Sequence, residues 1–371
     1  MLNKKQRLVL FLVLIIVSVY TFASSALAAS VGAIVNFQKS SYTDVSASKN
    51  WSRNGFTTLI SNNPEVSYGE GFLYSDSTIN TTGRFRVFWA HEYRITGSSG
   101  GYIGFFLFNN TGKQIKVNLG KYGKAVNASN VIAGQSAADS YFCKNATETT
   151  YATIPNGGST YLSFYTPTGY TCVGQYDIVI RDLSNAYVTG GITVKTFMSY
   201  THPDTFLSRN RSLLQKSGTE ARGRVGYSEK QLTWQNAQKE TYITFCSTVH
   251  NSWLVPVNDL DYYSSTVDSV SNAPYYGGYG IVLNITVTFA EDNSVLAISP
   301  CVLGADQSGS LNGGSNIHPM VVSVNGSTLT NDVQNGQMWI IASGNAGTTV
   351  TVQTTLIAFE YAPMRLVVTN G

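Results

Sequence analysis

The stretch Gly101–Val117 reads GYIGFFLFNNTGKQIKV, and its pattern decides the fold class. From Tyr102 to Phe108 both parities are apolar, as in a strand covered on both faces. Asn109-Asn110-Thr111-Gly112 then supplies residues that tolerate a tight turn. Beyond it Ile115, Val117 and Leu119 alternate with Gln114, Lys116 and Asn118, the period of a half-buried strand. The reading is a β-hairpin. Gly278–Ile298, GYGIVLNITVTFAEDNSVLAI, follows the same rule. Ile281, Leu283, Ile285, Val287 and Phe289 share one face, Asn284, Thr286 and Thr288 share the other, and Ala290–Ser294 makes the turn. Two long hairpins with buried faces each ask for a facing sheet, which is the logic of a β-sandwich.

Strand signals continue outward from these two units. In Arg84–Tyr93, Phe85, Val87, Trp89, His91 and Tyr93 take one side while Arg84, Arg86, Phe88, Ala90 and Glu92 take the other. Further runs rich in β-branched and aromatic residues are 161–165, 176–180, 192–197, 242–246, 320–324, 338–342 and 349–361, separated by Gly, Asn or Pro clusters. Helical periodicity is nearly absent. The expected class is all-β, with two antiparallel β-sandwich domains after a cleaved signal peptide.

The chain opens with Lys4, Lys5 and Arg7, an apolar run from Leu8 to Phe22, and small residues at Ala26 and Ala28. That is the pattern of a secretory leader cut after Ala28. Its apolar run is short for a span, which needs roughly 20 residues, and no later stretch is long and apolar enough. The formal net charge of +3 resides in the leader, so the remainder is close to neutral. Nucleic acid is therefore disfavoured as a partner, because a phosphate-binding surface shows a basic excess. The length beyond the leader exceeds what one core usually fills. The more highly charged segment HPDTFLSRNRSLLQKSGTEAR suggests a linker over 201–222, with a short helix around Phe206–Gln215. The expected domains are then 29–200 and 223–371. A Gly/Ser/Asn-rich loop, Gly304–Asn316, interrupts the second.

Four cysteines in an exported chain suggest disulfides, and sequence alone allows three pairings. The domain division selects Cys143–Cys172 and Cys246–Cys301, each stabilising by roughly 3–4 kcal/mol. No Cys-x-x-Cys or Cys/His cluster marks a zinc site.

The search for chemistry returns no nucleophile elbow, no His-Glu-x-x-His and no phosphate-binding glycine loop. His91, His202, His250 and His318 are scattered, and His91, beside Trp89 and Tyr93, reads as a hydrogen-bonded core residue. Asp259, Asp261 and Asp268 form an oxygen-rich stretch without EF-hand spacing, which reads as a solvated turn. Glu65, Glu70 and Glu92 are the acids from which a glycosidase pair would be drawn. No cofactor or metal is implied. Asn-x-Ser/Thr sequons occur at Asn50, Asn80, Asn145, Asn284 and Asn325.

The most physical lead is aromatic. Tyr262-Tyr263 and Tyr275-Tyr276, with Tyr279, fall in expected loops, where tyrosines offer rigid apolar platforms with a hydroxyl handle. The sequence therefore suggests a secreted or cell-surface, non-enzymatic protein of a cell envelope or extracellular matrix. It would bind cell-wall polysaccharide or a surface protein through loops. Alternatives are a self-assembling subunit of a layer or fibre, through unpaired strand edges, and a secreted hydrolase whose site converges only in three dimensions.

Overall fold

The computed structural model describes residues 30–63, 65–209, 211–215, 222–245, 278–300, 317–334, 336–355 and 364–371, with short strands at 261–262, 265–266 and 274–275. The expected leader, the loop 304–316, and Cys246 and Cys301 lie outside the described residues.

The protein is an all-β assembly of two sandwiches. In the first, an eight-stranded sheet has the path Thr149–Ile154, Ile115–Asn127, Thr171–Arg181, Arg84–Tyr93, Thr57–Ser61, Gly223–Val225 and Ser265–Thr266, with Val66–Ser67 beside Arg84–Tyr93. A four-stranded sheet faces it, in the order Ser159–Pro167, Gly100–Asn109, Ile192–Ser199 and Gly71–Asp76. The second sandwich stacks two six-stranded sheets. One runs Ile34–Asn36, Gln337–Gly344, Ser294–Pro300, Met364–Asn370, Thr241–Phe245 and Thr43–Asp44. The other runs Ser327–Gln334, Ile317–Val324, Thr349–Thr355, Val282–Phe289, Glu229–Ala237 and Ser52–Asn54. Most pairs are antiparallel, but Thr57–Ser61 and Val66–Ser67 run parallel to Arg84–Tyr93, Glu229–Ala237 to Val282–Phe289, and Thr43–Asp44 to Thr241–Phe245.

Neither opening stretch is a hairpin. Gly100–Asn109 pairs with Ser159–Pro167 and Ile192–Ser199, whereas Ile115–Asn127 pairs with strands of the opposite sheet. Likewise Val282–Phe289 and Ser294–Pro300 belong to facing sheets of the second sandwich. Each unit is an arch that crosses the core, so its two apolar faces meet each other. Ile103, Phe105 and Leu107 share a core with Ile115 and Val117, and Ile285, Val287 and Phe289 share one with Leu296 and Ile298. Asn109 holds the first corner: its side-chain amide donates to the carbonyls of Lys113, Ile154 and Pro155, and its Oδ1 accepts from Thr111 N at 3.0 Å.

Pairing also crosses the boundary expected at 201–222. The short strands Ile34–Asn36, Thr43–Asp44 and Ser52–Asn54 join the second sandwich, and Gly223–Val225 joins the first. The chain leaves the second sandwich at Gly55, whose φ is +87°, and returns at Ser228 alongside it. Ser228 Oγ accepts from Phe56 N at 3.2 Å, and a Cβ on Gly55 would meet that oxygen. The helix expected around Phe206–Gln215 is not formed there; a single turn, Pro203–Leu207, lies just before it, started by the proline whose fixed φ suits the first helical position.

An α-helix that the sequence pattern did not reveal, Asn130–Cys143, wedges between the sandwiches. Ser129 caps it by accepting from Ile132 N. Ala133 and Ala137 pack with Val173 of the first sandwich, while Ala138, Tyr141 and Phe142 pack with Val282 and Val321 of the second. Its small residues permit close approach, and a Cβ on Gly123 would lie 2.0 Å from the Ala137 carbonyl oxygen.

Beneath this helix lies a buried charge. Arg86 points away from the first core, fully enclosed between the sheet, the helix and the second sandwich. Nε donates to Asp177 Oδ1 at 2.6 Å, and Nη2 to Asp177 Oδ2 at 3.2 Å and to the Tyr141 hydroxyl at 2.5 Å. Nη1 donates to the carbonyls of Ser228 at 2.7 Å and Gly280 at 2.9 Å. All the guanidinium donors are thus engaged. Tyr141 in turn donates to Asp177 at 2.9 Å. Burial works against the Arg86 charge, but Asp177 together with Tyr141 and Glu229 holds the group above its ordinary pKa. Burial likewise pushes the Tyr141 phenol well up, opposed by Arg86.

The expected bond between Cys143 and Cys172 is not formed; both are free thiols. Cys172 points into the first core with Trp89 and Tyr176, whereas Cys143 ends the helix that packs on the opposite face of that sheet. The sheet itself separates the sulfurs.

Two outcomes are expected. Arg86→Met strands Asp177, Tyr141 and two carbonyls, so urea unfolding should show a loss of about 3–5 kcal/mol. Native maleimide labelling followed by peptide mapping should modify Cys143 and spare Cys172 until the protein is denatured. Burial raises the Cys172 thiol from 9.0 to about 11. Its contribution is therefore full below pH 9.0 and declines as pH rises toward about 11, where the unfolded chain has already released the proton.

Candidate functional site

The inward face of the four-stranded sheet builds the core, but its outward face is aromatic as well. Gly100–Asn109 turns Tyr102, Phe106 and Phe108 outward, Ser159–Pro167 turns Tyr161 and Tyr165, and Ile192–Ser199 turns Phe197. Gly104, between Tyr102 and Phe106, is required: a Cβ there would lie 1.9 Å from the Leu162 carbonyl oxygen.

The segment following Ile192–Ser199 covers one part of this face and leaves the rest open. Phe206 of helix Pro203–Leu207 is fully buried against Phe72, Phe106 and Phe197, with ring centroids 5.2, 6.0 and 5.2 Å away. Farther along, Leu213 bridges to Phe72, and Phe72 N donates to Ser212 O at 3.1 Å, so the chain lines the edge strand Gly71–Asp76. Glu70 fastens the segment at its start: it pairs with Arg211 and accepts from Ser199 Oγ at 2.5 Å.

This strap delivers His202 and Asp204 to the tyrosines. The His202 ring stands edge-on to Tyr102 at 5.5 Å and to Tyr161 at 6.0 Å, and Tyr102 stands edge-on to Tyr165 at 5.7 Å. Asp204 Oδ2 lies 3.3 Å from His202 Nδ1 and accepts from the Tyr161 hydroxyl at 3.4 Å. Burial, with Asp204 adding to it, raises the Tyr161 phenol, keeping it a neutral donor. Tyr151, on the edge strand of the other sheet, donates to Tyr161 O at 2.6 Å. Tyr165 is 54% exposed and Tyr151 43%. Large apolar rings held open to solvent beside imidazole and carboxylate form a platform suited to a flat ligand with hydroxyls on its rim.

Of the tyrosines expected to form a loop platform, only Tyr279 has a described side chain. Tyr279 is buried and stacks on Phe88 at 6.1 Å with an interplanar angle of 7°, at the junction of the two sandwiches. Tyr262 and Tyr275 belong to a two-stranded ladder with Pro274 and Asp261 opposite them. Their side chains, and Tyr263 and Tyr276 entirely, lie outside the described residues, as do Asp259, Asp268 and His250. His91 is the core residue expected, sealed between the sheets with Nε2 3.0 Å from Ser61 Oγ, which itself lies 2.7 Å from Thr196 Oγ1. This serine–histidine pair has no access to solvent. Glu92 pairs with Arg94, and Glu70 with Arg211. Among the described residues no group of three or more His, Cys, Asp or Glu is placed to hold a metal ion, and no helix is long and apolar enough to cross a membrane. Of the sequons, Asn50 and Asn145 are exposed; Asn80 is buried, donating to the carbonyls of Val188 and Gly190.

No protein-family profile matches the chain, and no curated protein matches it. Among solved structures, the tandem CBM51 modules of a family 98 glycoside hydrolase from Streptococcus pneumoniae align at 8% identity and a TM-score of 0.18, over 93% of this chain and 98% of that one. The CUB1-EGF-CUB2 domain of human MASP-1/3 aligns at 10% identity and a TM-score of 0.18, over 76% and 99%. A Paenibacillus xanthan lyase aligns at 13% identity and a TM-score of 0.17, over 85% and 25%. At such scores the strand pairings above, and not these likenesses, carry the description of the fold.

The strap should be what holds the site together. Phe206→Ala is expected to speed tryptic cleavage after Arg209 and Arg211 while leaving the spectroscopic signature of the sandwiches unchanged, since the lost ring anchors only the strap.

Proposed function

We propose that this is an exported, non-enzymatic protein of a cell envelope or extracellular matrix that binds carbohydrate on the outward face of its four-stranded sheet. The observation that carries this reading is the ring cluster of half-buried Tyr102 and Tyr161 and exposed Tyr165 on the sheet, with exposed His202 beside them on the segment that follows it. Pyranose rings present a face of C–H bonds that packs on an aromatic ring, and their hydroxyls need donors and acceptors at the margin. Tyr161, His202 and Asp204 supply those at the margin of this platform. Strands set such rings within a fraction of an ångström, so little ordering opposes binding. The sealing of Ser61 and His91 in the core favours binding over catalysis.

The leader pattern at residues 1–28 supports export. Within the chain, residues 57–225 form the ligand-bearing module, set between two segments that build the second sandwich.

Affinity electrophoresis through gels containing soluble polysaccharides tests the reading. Wild-type protein should be retarded by at least one polymer, and Tyr165→Ala should weaken that retention about tenfold, near 1.4 kcal/mol. Retention that survives Tyr102→Ala and Tyr165→Ala together would refute the platform.

A further inference from the structure

We infer, resting on the reading just given, that the platform takes an internal run of a linear polysaccharide, at least three consecutive units long, laid along its outer strand. Ser159–Pro167 is that strand, at the edge of the four-stranded sheet. Tyr161 and Tyr165 lie four residues apart on it and share the outward parity. At a strand rise of roughly 3.3 Å per residue their Cα atoms stand about 13 Å apart, farther than one pyranose ring reaches. The outward position between them carries no ring. Ser163 stands there opposite Gly104, where the Leu162 carbonyl leaves no room for a side chain. Stacking is therefore offered at two places with a gap between, Tyr161 at one and the Tyr165–Tyr102 pair at the other.

A polymer answers this spacing in one way. One unit lies on Tyr161, the next but one lies on Tyr165 and Tyr102, and the unit between crosses Ser163 and Gly104. The strap borders that gap, with His202 edge-on to both Tyr102 and Tyr161 and Asp204 accepting from the Tyr161 hydroxyl. The middle unit is thus held by its hydroxyls and the outer two by their faces. The strand is also open at both ends. Ser159 is exposed at one; at the other, exposed Tyr165 is followed by exposed Thr168 and Tyr170 in a turn where Tyr170 N donates to Pro167 O at 3.1 Å. Recognition of a chain end calls for a concave wall that stops the polymer, whereas exposed residues at both limits let it run on. Two contacts joined by one chain make the second intramolecular, so affinity climbs with length until both are reached and then levels off.

The test uses the full chain in gels containing a mixed-linkage β-glucan, a xylan or a glucomannan, with oligosaccharides of one to eight units from each polymer as competitors. For a polymer that retards the protein, the tetramer should release it at a concentration at least tenfold below the dimer, with little further gain to the octamer. Long and short preparations of that polymer should retard equally at equal mass, since internal runs and not ends are counted. Tyr165→Ala should erase the difference between dimer and tetramer. Tyr187→Ala, exposed at the opposite end of the same sandwich, should leave it intact. A dimer that competes as well as the octamer, or retention that follows the number of chain ends, overturns the inference and leaves the platform standing. So does a length dependence that survives Tyr165→Ala or is lost equally in Tyr187→Ala. Retardation by none of the three polymers overturns both readings.

Discussion

Every larger feature of the molecule converges on the Arg86 guanidinium. It is buried at the one place where a strand of the first sandwich, the helix Asn130–Cys143 and the returning chain at Ser228 meet. A desolvated charge of this kind is tolerable only when all its donors find acceptors in good geometry. The acceptors come from four separate parts of the chain: Asp177, Tyr141, Ser228 and Gly280. A slip of any of them would leave a charge or a carbonyl unanswered in the interior. Apolar packing alone tolerates small sliding; this network does not, so it fixes how the two sandwiches sit.

That constraint explains the apolar cluster around it. Phe88 and Ala90 share the outward parity of Arg86 and pack with Tyr279 and Ala133 in the core of the second sandwich. Gly280, with φ of +74°, brings its carbonyl to Arg86, and a Cβ there would press on Phe88 at 2.7 Å. One face of the eight-stranded sheet thus serves the junction and the other the first core. The four-stranded sheet is left with an outward face that the junction does not need. A rigid surface far from the seam is where binding chemistry can vary without cost to the fold.

The residues disclosed this architecture unevenly. Period-2 alternation reports which face is buried and not which strand lies alongside, so an arch and a hairpin have the same signature. That is why Gly101–Val117 yielded the correct strands and the wrong lateral partners. The inward set Phe85, Val87, Trp89, His91 and Tyr93 was legible, because one core decides it. The role of Arg86 was not, because Asp177 is 91 residues away and nothing local announces it. The helix was hidden by its small residues: Ala133, Gly134, Ala137 and Ala138 make most of its buried face and carry little hydrophobic contrast, and only Tyr141 and Phe142 in the last turn are large. The site was half visible. A strand aromatic on both parities, as Tyr102–Phe108 is, must either be covered twice or expose one face. Covering on both faces is the ordinary outcome for such a strand, and here Phe206 covers only part of the outward face, an arrangement that depends on a segment about 100 residues away.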